Sequence, residues 1–315
     1  MSKISVLGDY MIDEYLFCST DRISPEAPVL IAKINEKEIS PGGAGNVAAN
    51  MSFLGNETQA LGLGGKNDFG EFEILFEKYF FDNVNVLIFP HYQKNIRKTR
   101  VVSDNHHLLR IDCEEDIYNG KDIINSLIRE MKNFNPDFLI ISDYDKGMIS
   151  KIDIDFTASV FKSIQTEIIA DIKPINFKIL NQITKKSKRI NTILPNEKEI
   201  RQSLPNKDWD LESYAKYWID KDLCENVAIT RGENGILFVT EKEKFSITSK
   251  TEEIADVCGC GDTVTSIYTH AISEGINKKS AIEIANECAA LTAKKFGAYK
   301  VSKEEYSEIK ENYLF

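Results

Sequence analysis

The middle of the chain contains Phe138-Leu139-Ile140-Ile141-Ser142, a short uncharged run with the composition of a buried strand. Three similar runs follow at Glu167–Asp171, Thr192–Pro195 and Val227–Thr230, and longer amphipathic segments separate them. Strands and helices that alternate in this way predict βαβ units and a mostly parallel sheet. We therefore expect an α/β protein.

Toward the N-terminus the pattern begins with a strand at Ile4 to Leu7, and a second apolar stretch runs from Ala27 to Ile34. A helix is predicted to start within Pro41-Gly42-Gly43-Ala44-Gly45-Asn46, because apolar residues then recur at helical spacing. Gly55 ends this periodicity, as a C-terminal cap does. From Gly261 onward the chain is predicted to be mostly helical.

Three stretches interrupt the alternation of strand and helix, namely residues 10–35, 97–103 and 108–113. They look extended and have no helices between them, which predicts a small β lid, formed by about 10–35 and 97–113, inserted in one domain of residues 1–315. His106-His107, within this region, is predicted to be a polar turn.

The composition of the 315 residues is that of a globular protein, with 42% hydrophobic and 28% charged residues. A net charge of −10 without a basic block argues against a nucleic-acid partner. No window is long and apolar enough for a membrane span, and Asp9 and Asp13 interrupt the only apolar N-terminal run. The six cysteines show no metal-finger spacing, so we expect reduced thiols and a cytoplasmic protein.

The most informative motif is Gly259-Cys260-Gly261-Asp262, which leads into an apolar helical pattern. Glycines at a helix N-terminus let consecutive backbone N–H groups converge on an anion, and the helix dipole favours negative charge there. An acidic residue in the first turn would accept a proton from an attacking hydroxyl. The alternative is a loop in which Asp262 only caps the helix.

Two further motifs follow predicted strands, where the ligand crevice of an open α/β sheet lies. Asn196 and Glu199 of Asn196-Glu197-Lys198-Glu199 are placed to face a nucleotide phosphate and Mg²⁺, or to form a capping box, and both can be true. Thr230-Arg231-Gly232-Glu233-Asn234-Gly235 forms either a turn beside a nucleotide or an ordinary hairpin.

Polar residues near glycines in the N-terminal part suit a polyhydroxylated ligand: Gly8-Asp9 with Asp13, and Gly42-Gly43 with Asn46. Turn chemistry is the alternative. In the predicted lid, Lys98 and Arg100 share one face of a strand, and with Arg110 they form either a binding site for a phosphate on the substrate or a solvated strand face.

These motifs, in this order, resemble the ribokinase-type (PfkB) carbohydrate kinases from about residue 4 to about residue 300. The family is similar in carrying Gly-Gly-x-x-x-Asn, Asn-x-x-Glu and Gly-x-Gly-Asp. The resemblance implies a three-layer α/β/α fold, ATP and Mg²⁺ as cofactors, and Asp262 as the catalytic base beside the N–H groups of Gly259, Cys260 and Gly261. It implies that Asp13, Gly42, Gly43 and Asn46 bind sugar. For the nucleotide it implies Lys173, Asn196, Glu197, Lys198, Glu199, Thr230, Arg231, Gly232 and Asn286, with Glu199 toward the metal.

Within the family the chain most resembles the D-glycero-D-manno-heptose 7-phosphate kinases. The resemblance is carried by Gly8–Tyr15, Arg22-Ile23-Ser24-Pro25-Glu26-Ala27-Pro28-Val29, Leu109–Asp112 and Ser142-Asp143-Tyr144-Asp145-Lys146-Gly147. It implies phosphorylation of the anomeric hydroxyl to give the 1,7-bisphosphate for ADP-heptose and lipopolysaccharide biosynthesis, with Lys98, Arg100 and Arg110 at the 7-phosphate. It also implies a homodimer through the β lid. Bifunctional members continue into a nucleotidyltransferase domain, so we expect a separate adenylyltransferase downstream.

The sequence leaves three alternatives: a kinase of this fold for another sugar or sugar phosphate, a catalytically silent sugar-phosphate binding protein, and a Rossmann-type dehydrogenase. Both motif glycines and Asp262 are present, whereas the silent protein would be expected to lack them. The dehydrogenase is disfavoured because no Gly-x-Gly-x-x-Gly follows the first strand.

Overall fold

The computed structural model describes residues 2–104, 106–115, 120–204, 208–249 and 254–313. Its strands are β1 Lys3–Gly8, β2 Tyr10–Ile23, β3 Leu30–Gly43, β4 Glu57–Gly65, β5 Val84–Tyr92, β6 Arg97–Ser103, β7 His106–Cys113, β8 Phe138–Ser142, β9 Glu167–Asp171, β10 Ile190–Ile193, β11 Cys224–Thr230, β12 Ile236–Thr240 and β13 Lys244–Ile247. Its helices are α1 Ala44–Phe53, α2 Gly70–Tyr79, α3 Lys121–Phe134, α4 Ile154–Ser163, α5 Phe177–Lys186, α6 Glu197–Ser203, α7 Leu211–Asp220, α8 Cys260–Ser273, α9 Lys278–Ala293 and α10 Lys303–Glu311.

The main sheet has nine described strands in the order β13-β12-β11-β10-β9-β8-β1-β4-β5. The pairs from β11 to β5 are parallel, and β12 and β13 are antiparallel. Along β8, Leu139 and Ile141 join one apolar cluster while Phe138 and Ile140 join the other, as strand periodicity requires. Helices α3 to α7 cover the first face, and α1, α2 and α8 to α10 cover the second. The three-layer α/β/α prediction is confirmed.

A second sheet, with the order β3-β2-β6-β7, stands apart from the first. Strand β2 leaves β1 after a single residue, pairs antiparallel with β3 and pairs parallel with β6. The segments predicted to be extended are thus largely strands, although residues 24–29 are not, so the predicted strand at Ala27 begins only at Leu30. The prediction of a polar turn at His106-His107 was wrong, because these two residues begin β7 and pair with β6.

Several local predictions agree with the structure. Helix α1 begins at Ala44 within the predicted window, and Gly55 lies beyond its end with a φ of 82°, as a helix-terminating glycine does.

The strand predicted at Thr192–Pro195 is displaced, since β10 spans Ile190–Ile193. All six cysteines are free thiols. Within the described ranges, no helix combines the length and apolar character needed to cross a membrane.

Candidate active site

The candidate site lies at the carboxyl ends of the parallel strands, where an open α/β sheet binds ligands. Asp9 follows β1, Asp143 follows β8, Asp171 ends β9, Asn196 follows β10 and Thr230 ends β11. An isolated parallel bridge between Asn196 and Thr230 extends the sheet at this edge. Asp262, in the first turn of α8, accepts a hydrogen bond from Tyr144 just after β8. The N-terminus of α8 therefore lies in the same region.

Asp262 is buried in the first turn of α8, with 4% of its surface exposed. Its two carboxylate oxygens accept hydrogen bonds from Asn46 Nδ2 at 2.8 Å and from the Tyr144 hydroxyl at 2.6 Å. Burial raises the pKa of Asp262, and these two hydrogen bonds oppose the rise. The carboxylate is therefore held in one orientation by groups that favour its ionised form.

The glycine loop before Asp262 leaves room for an anion. Gly259 is the N-cap of α8 with a φ of 78°, and a Cβ there would lie 2.7 Å from Asn46 Nδ2. A Cβ on Gly261 would meet no atom within 4 Å, so the space above it is open. The N–H of Cys260, which was predicted to face the anion, donates to Val257 O at 3.3 Å in this structure.

The flanking cysteines Cys258 and Cys260 are free and half-buried. Burial raises the pKa of the Cys258 thiol to about 12 and that of Cys260 to about 11, so both are thiols at neutral pH. Among the described residues, no cluster of three or more histidine, cysteine or carboxylate side chains could hold a metal ion.

The predicted sugar-binding residues meet at the junction of the two sheets. Asp13 on β2 accepts a hydrogen bond from Arg100 Nη1 at 2.5 Å, and both side chains are largely buried. A Cβ on Gly42 would lie 2.4 Å from Asp13 Oδ2, so a larger residue there would displace the Asp13 carboxylate. Asn46 lies in the first turn of α1, directly after Gly42-Gly43, and donates to Asp262.

The two other predicted phosphate ligands differ in environment. Lys98 lies over the Tyr144 ring at 4.9 Å, and burial lowers its pKa. Arg110 pairs across the second sheet with Arg100, but its guanidinium is exposed and bonded to Asp112. The structure therefore brings Lys98 and Arg100 toward Asp262, whereas Arg110 faces solvent.

An apolar cavity of about 180 Å³ lies on the other side of the glycine loop. Residues from α8, α9 and the β11–β12 turn line it, including Thr230, Gly232, Cys260, Gly261 and Asn286. The turn at Gly232 joins the antiparallel strands β11 and β12, so the Thr230–Gly235 motif is a hairpin turn. The same turn also forms part of the cavity wall. Val257 at this cavity is 67% exposed, which leaves an apolar surface for a flat ring.

The Asn196 motif forms the predicted capping box at the start of α6. Asn196 Oδ1 accepts from the Glu199 N–H at 2.9 Å, and Glu199 Oε2 accepts from the Asn196 N–H at 2.9 Å. The other Glu199 oxygen accepts from Lys173 Nζ at 2.5 Å. Glu197 and Lys198 lie outside this arrangement, since Glu197 bonds Arg201 and Lys198 is exposed.

Arg231 is directed away from the cavity, where it donates to Asn234 O and Ser246 Oγ. Asn286 lines the cavity and donates to Thr248 O at 3.0 Å. Two predicted nucleotide residues that are distant in sequence, Thr230 and Asn286, thus meet at one cavity, while Arg231 does not line it.

A family model described as "pfkB family carbohydrate kinase" matches residues 1–305. The chain belongs to the PfkB family of carbohydrate kinases. It is therefore an enzyme that transfers a phosphoryl group to a carbohydrate.

The curated relatives of this PfkB kinase include longer proteins. The bifunctional protein HldE of Desulfatibacillum aliphaticivorans is 32% identical over 311 residues, which cover 96% of this chain and 62% of the relative. The bifunctional protein HldE of Haemophilus influenzae is 32% identical over 308 residues, with the same coverage of both. The chain thus spans less than two thirds of the length of these relatives.

Solved structures confirm a ribokinase-like fold. Escherichia coli phosphofructokinase-2 in complex with substrates and products has a TM-score of 0.76 at 15% identity, covering 99% of both chains. Ribokinase from Thermotoga maritima has a TM-score of 0.73 at 20% identity, covering 99% of this chain and all of that one. At these identities the similarity shows the shared fold.

Sequence reasoning on this PfkB kinase missed the role of Tyr144. Its hydroxyl contacts Asp262, and its ring carries Lys98 at 4.9 Å and Lys173 at 5.0 Å. The stretch around Tyr144 entered the sequence analysis only through its resemblance to the heptose kinases, although a tyrosine two residues after a predicted strand could have indicated a site residue. The Asp9 carboxylate accepts a hydrogen bond from the backbone N–H of Tyr144 at 2.8 Å and so fixes the loop that carries Tyr144.

Asp171, at the end of β9, was also missed. Burial raises its pKa to about 8, Lys173 opposes the rise, and the negative charge of Glu199 adds to it.

Proposed function

We propose that this kinase transfers the γ-phosphoryl group of ATP to the anomeric hydroxyl of D-glycero-D-manno-heptose 7-phosphate. Family membership supports sugar phosphorylation, and the four motif stretches and the HldE relatives support the heptose acceptor. The observation that carries the chemistry is the position of Asp262. It lies between the apolar cavity and the group formed by Asp13, Arg100 and Lys98.

In this proposal ATP places its base in the apolar cavity and its phosphates above Gly261, where a Cβ would meet nothing. Asn46 and Tyr144 hold the Asp262 carboxylate so that it accepts the proton of the attacking sugar hydroxyl. Backbone N–H groups at the start of α8 and the helix dipole stabilise charge on the transferred phosphoryl group. The chain thus supplies orientation, a base and an anion site.

Asp171 and Glu199 would hold Mg²⁺ at the strand ends, because Mg²⁺ often takes only one or two protein carboxylates and the charge of Glu199 acts on Asp171. Mg²⁺ bound there supplies charge neutralisation for the phosphates. Lys173 already neutralises one Glu199 oxygen, and the capping box engages the other. With both oxygens engaged, Glu199 would reach the metal only through the metal's water molecules.

For the 7-phosphate we assign Lys98 as the principal ligand, because its ammonium is partly desolvated and not committed to a carboxylate among the described salt bridges. Arg100 is bonded to Asp13 and fixes it, while keeping donors for a phosphate oxygen. Arg110 would join them if its exposed side chain released Asp112.

The test measures ADP release with Mg-ATP and a panel of heptose 7-phosphate, fructose 6-phosphate, ribose and adenosine. We expect turnover on heptose 7-phosphate, and a loss of about 10²- to 10⁴-fold in Asp262→Asn, the usual contribution of a general base. Calorimetric ATP binding by the same variant is the control for folding and should be retained. Turnover on another acceptor would overturn the heptose assignment, and none on any would favour a binding protein.

We also propose that the second sheet is a homodimer surface. Strand β7 is exposed over most of its length, with Leu109 57% and Ile111 51% exposed, and Ile34 on β3 is 57% exposed. Large apolar side chains on both outer strands indicate a covering partner. Sedimentation equilibrium should give a dimer, and Ile111→Lys should give a monomer. A monomeric wild-type chain would refute this proposal.

A further inference from the structure

Lys300 carries a buried ammonium group that the proposed mechanism does not use. It lies between α9 and α10 and is 6% exposed. Its Nζ donates to Ala298 O and lies 5.3 Å from the centre of the Tyr79 ring. A lysine normally extends its stem so that the ammonium reaches water, so this burial needs an explanation.

The segment that carries Lys300 packs directly beneath the glycine loop. A Cβ on Gly259 would lie 3.2 Å from Ala298 Cβ, the residue whose carbonyl binds the ammonium. On the other side, the N–H of Val301 contacts Asn50 Oδ1 at 3.4 Å. Asn50 Nδ2 in turn donates to Asn46 O at 2.9 Å. Lys300 is thus held against both the loop and the helix that orient Asp262.

The charges around the site relate the Lys300 ammonium to the Asp262 carboxylate. Asp13 has Arg100 as a direct partner, whereas the hydrogen-bond donors to Asp262 are neutral, and among the described residues Asp262 has no salt bridge. Burial lowers the pKa of Lys300 to about 8, and Asp262 is the largest opposing charge. Lys300 in turn lowers the pKa of Asp262, by less than the hydrogen bonds from Tyr144 and Asn46 do.

The other groups near the Lys300 ammonium are consistent with an interaction between Lys300 and Asp262. Asp13 and the Cys258 thiol also act on its charge, and the surrounding surface contributes Tyr15, Glu38, Tyr79 and Tyr299. Glu38 lies on β3 in the wall of an open cavity, whereas Asp262 is only 4% exposed. An enclosed carboxylate feels a neighbouring charge more strongly, because less water screens it.

We propose that Lys300 is a positioning residue for phosphoryl transfer: a fixed internal cation that keeps the buried Asp262 ionised, and so able to accept the sugar proton. Apolar side chains of similar length would fill the same space without a buried charge. The inference rests on the proposed role of Asp262 as base, but not on the identity of the acceptor. It assigns a role to a residue outside the motifs.

The experiment follows the carboxyl-carbon NMR signals of ¹³C-aspartate-labelled protein during a pH titration without substrate, with Asp262 assigned through Asp262→Asn. In Lys300→Met the Asp262 midpoint should rise by about half a pH unit, the size expected of one neighbouring charge that acts without a direct hydrogen bond. Lys300→Arg should restore it. Lys303→Met removes an exposed lysine three residues away and should leave it unchanged. An unchanged midpoint in folded Lys300→Met would overturn the proposal.

A reciprocal measurement covers the case in which Lys300→Met does not fold. The lysine that titrates near pH 8 is followed by its ¹³Cε signal in the wild type and in Asp262→Asn. Linkage requires that loss of the Asp262 charge lower this midpoint by the same amount. An unaltered lysine titration would count against the proposal. Neither measurement needs turnover, so failure of the heptose assignment would appear separately, in the acceptor panel.

Discussion

Replacement of Lys300 by methionine should make this kinase more stable at neutral pH while it makes the kinase a poorer catalyst. Methionine keeps the length of the side chain and removes the buried charge. The structure gives the direction, since burial lowers the pKa of Lys300 from its ordinary 10.5 to about 8. The folded protein therefore holds this proton less tightly than the unfolded chain does.

The size of the effect follows from the pKa difference. One pKa unit corresponds to about 1.4 kcal/mol, so the charged lysine costs the folded state about 3 kcal/mol below pH 8. Loss of the hydrogen bond to Ala298 O removes about 1 kcal/mol of this gain. The variant should thus be more stable by about 2 kcal/mol at pH 7, which raises Tm by about 3 °C in a chain of this size.

The penalty is complete below pH 8 and disappears above pH 10.5, where the lysine is neutral in both states. Urea unfolding at pH 7 and pH 9.5 should therefore show a gain for Lys300→Met that shrinks to about half or less. Lys303→Met, at an exposed position, should stay within about 0.5 kcal/mol of the wild type at both pH values. A folded Lys300→Met that gains nothing at pH 7, or that keeps an undiminished gain at pH 9.5, would refute the reasoning.

Two other substitutions probe the surroundings of Asp262. Tyr144→Phe removes a hydrogen bond that lowers the pKa of Asp262, so kcat should fall about 10-fold and the acidic limb of the pH–rate profile should move to higher pH; an unmoved limb would contradict this role of Tyr144. Gly259→Ala places a Cβ 2.7 Å from Asn46 Nδ2 at a φ of 78°, which should destabilise the protein by about 1–3 kcal/mol and reduce kcat. Chemical denaturation and ADP release measure both effects, and wild-type values would show that the loop accommodates a side chain.

Much of the fold was predictable from sequence because its signals are local. The apolar runs Phe138–Ser142 and Glu167–Asp171 match β8 and β9 residue for residue. Each is buried on both faces, so composition alone marks it. The first residues of β7 were missed because two histidines resemble a turn, and their strand conformation comes from pairing with β6.

The candidate site was predictable where a motif combines glycines with one polar residue, as at Asp262. It was not predictable where tertiary contacts give an ordinary residue its environment. Nothing near Lys300 in the sequence shows that its ammonium is enclosed, and nothing near Asp171 shows a second carboxylate beside it. Arg231 shows the converse. Its motif predicted a nucleotide-binding residue, whereas its guanidinium donates to Asn234 O and Ser246 Oγ.

The hydrogen bond between Asn46 and Asp262 joins residues that are 216 positions apart. During synthesis on the ribosome, Asn46 emerges long before its partner, and β1 waits for β8 before its second edge is paired. Contacts of such long range form late, and the open strand edges and apolar surfaces remain exposed until then. A nascent chain of this kinase should therefore depend on chaperones until α8 has left the exit tunnel, and should phosphorylate nothing before that point.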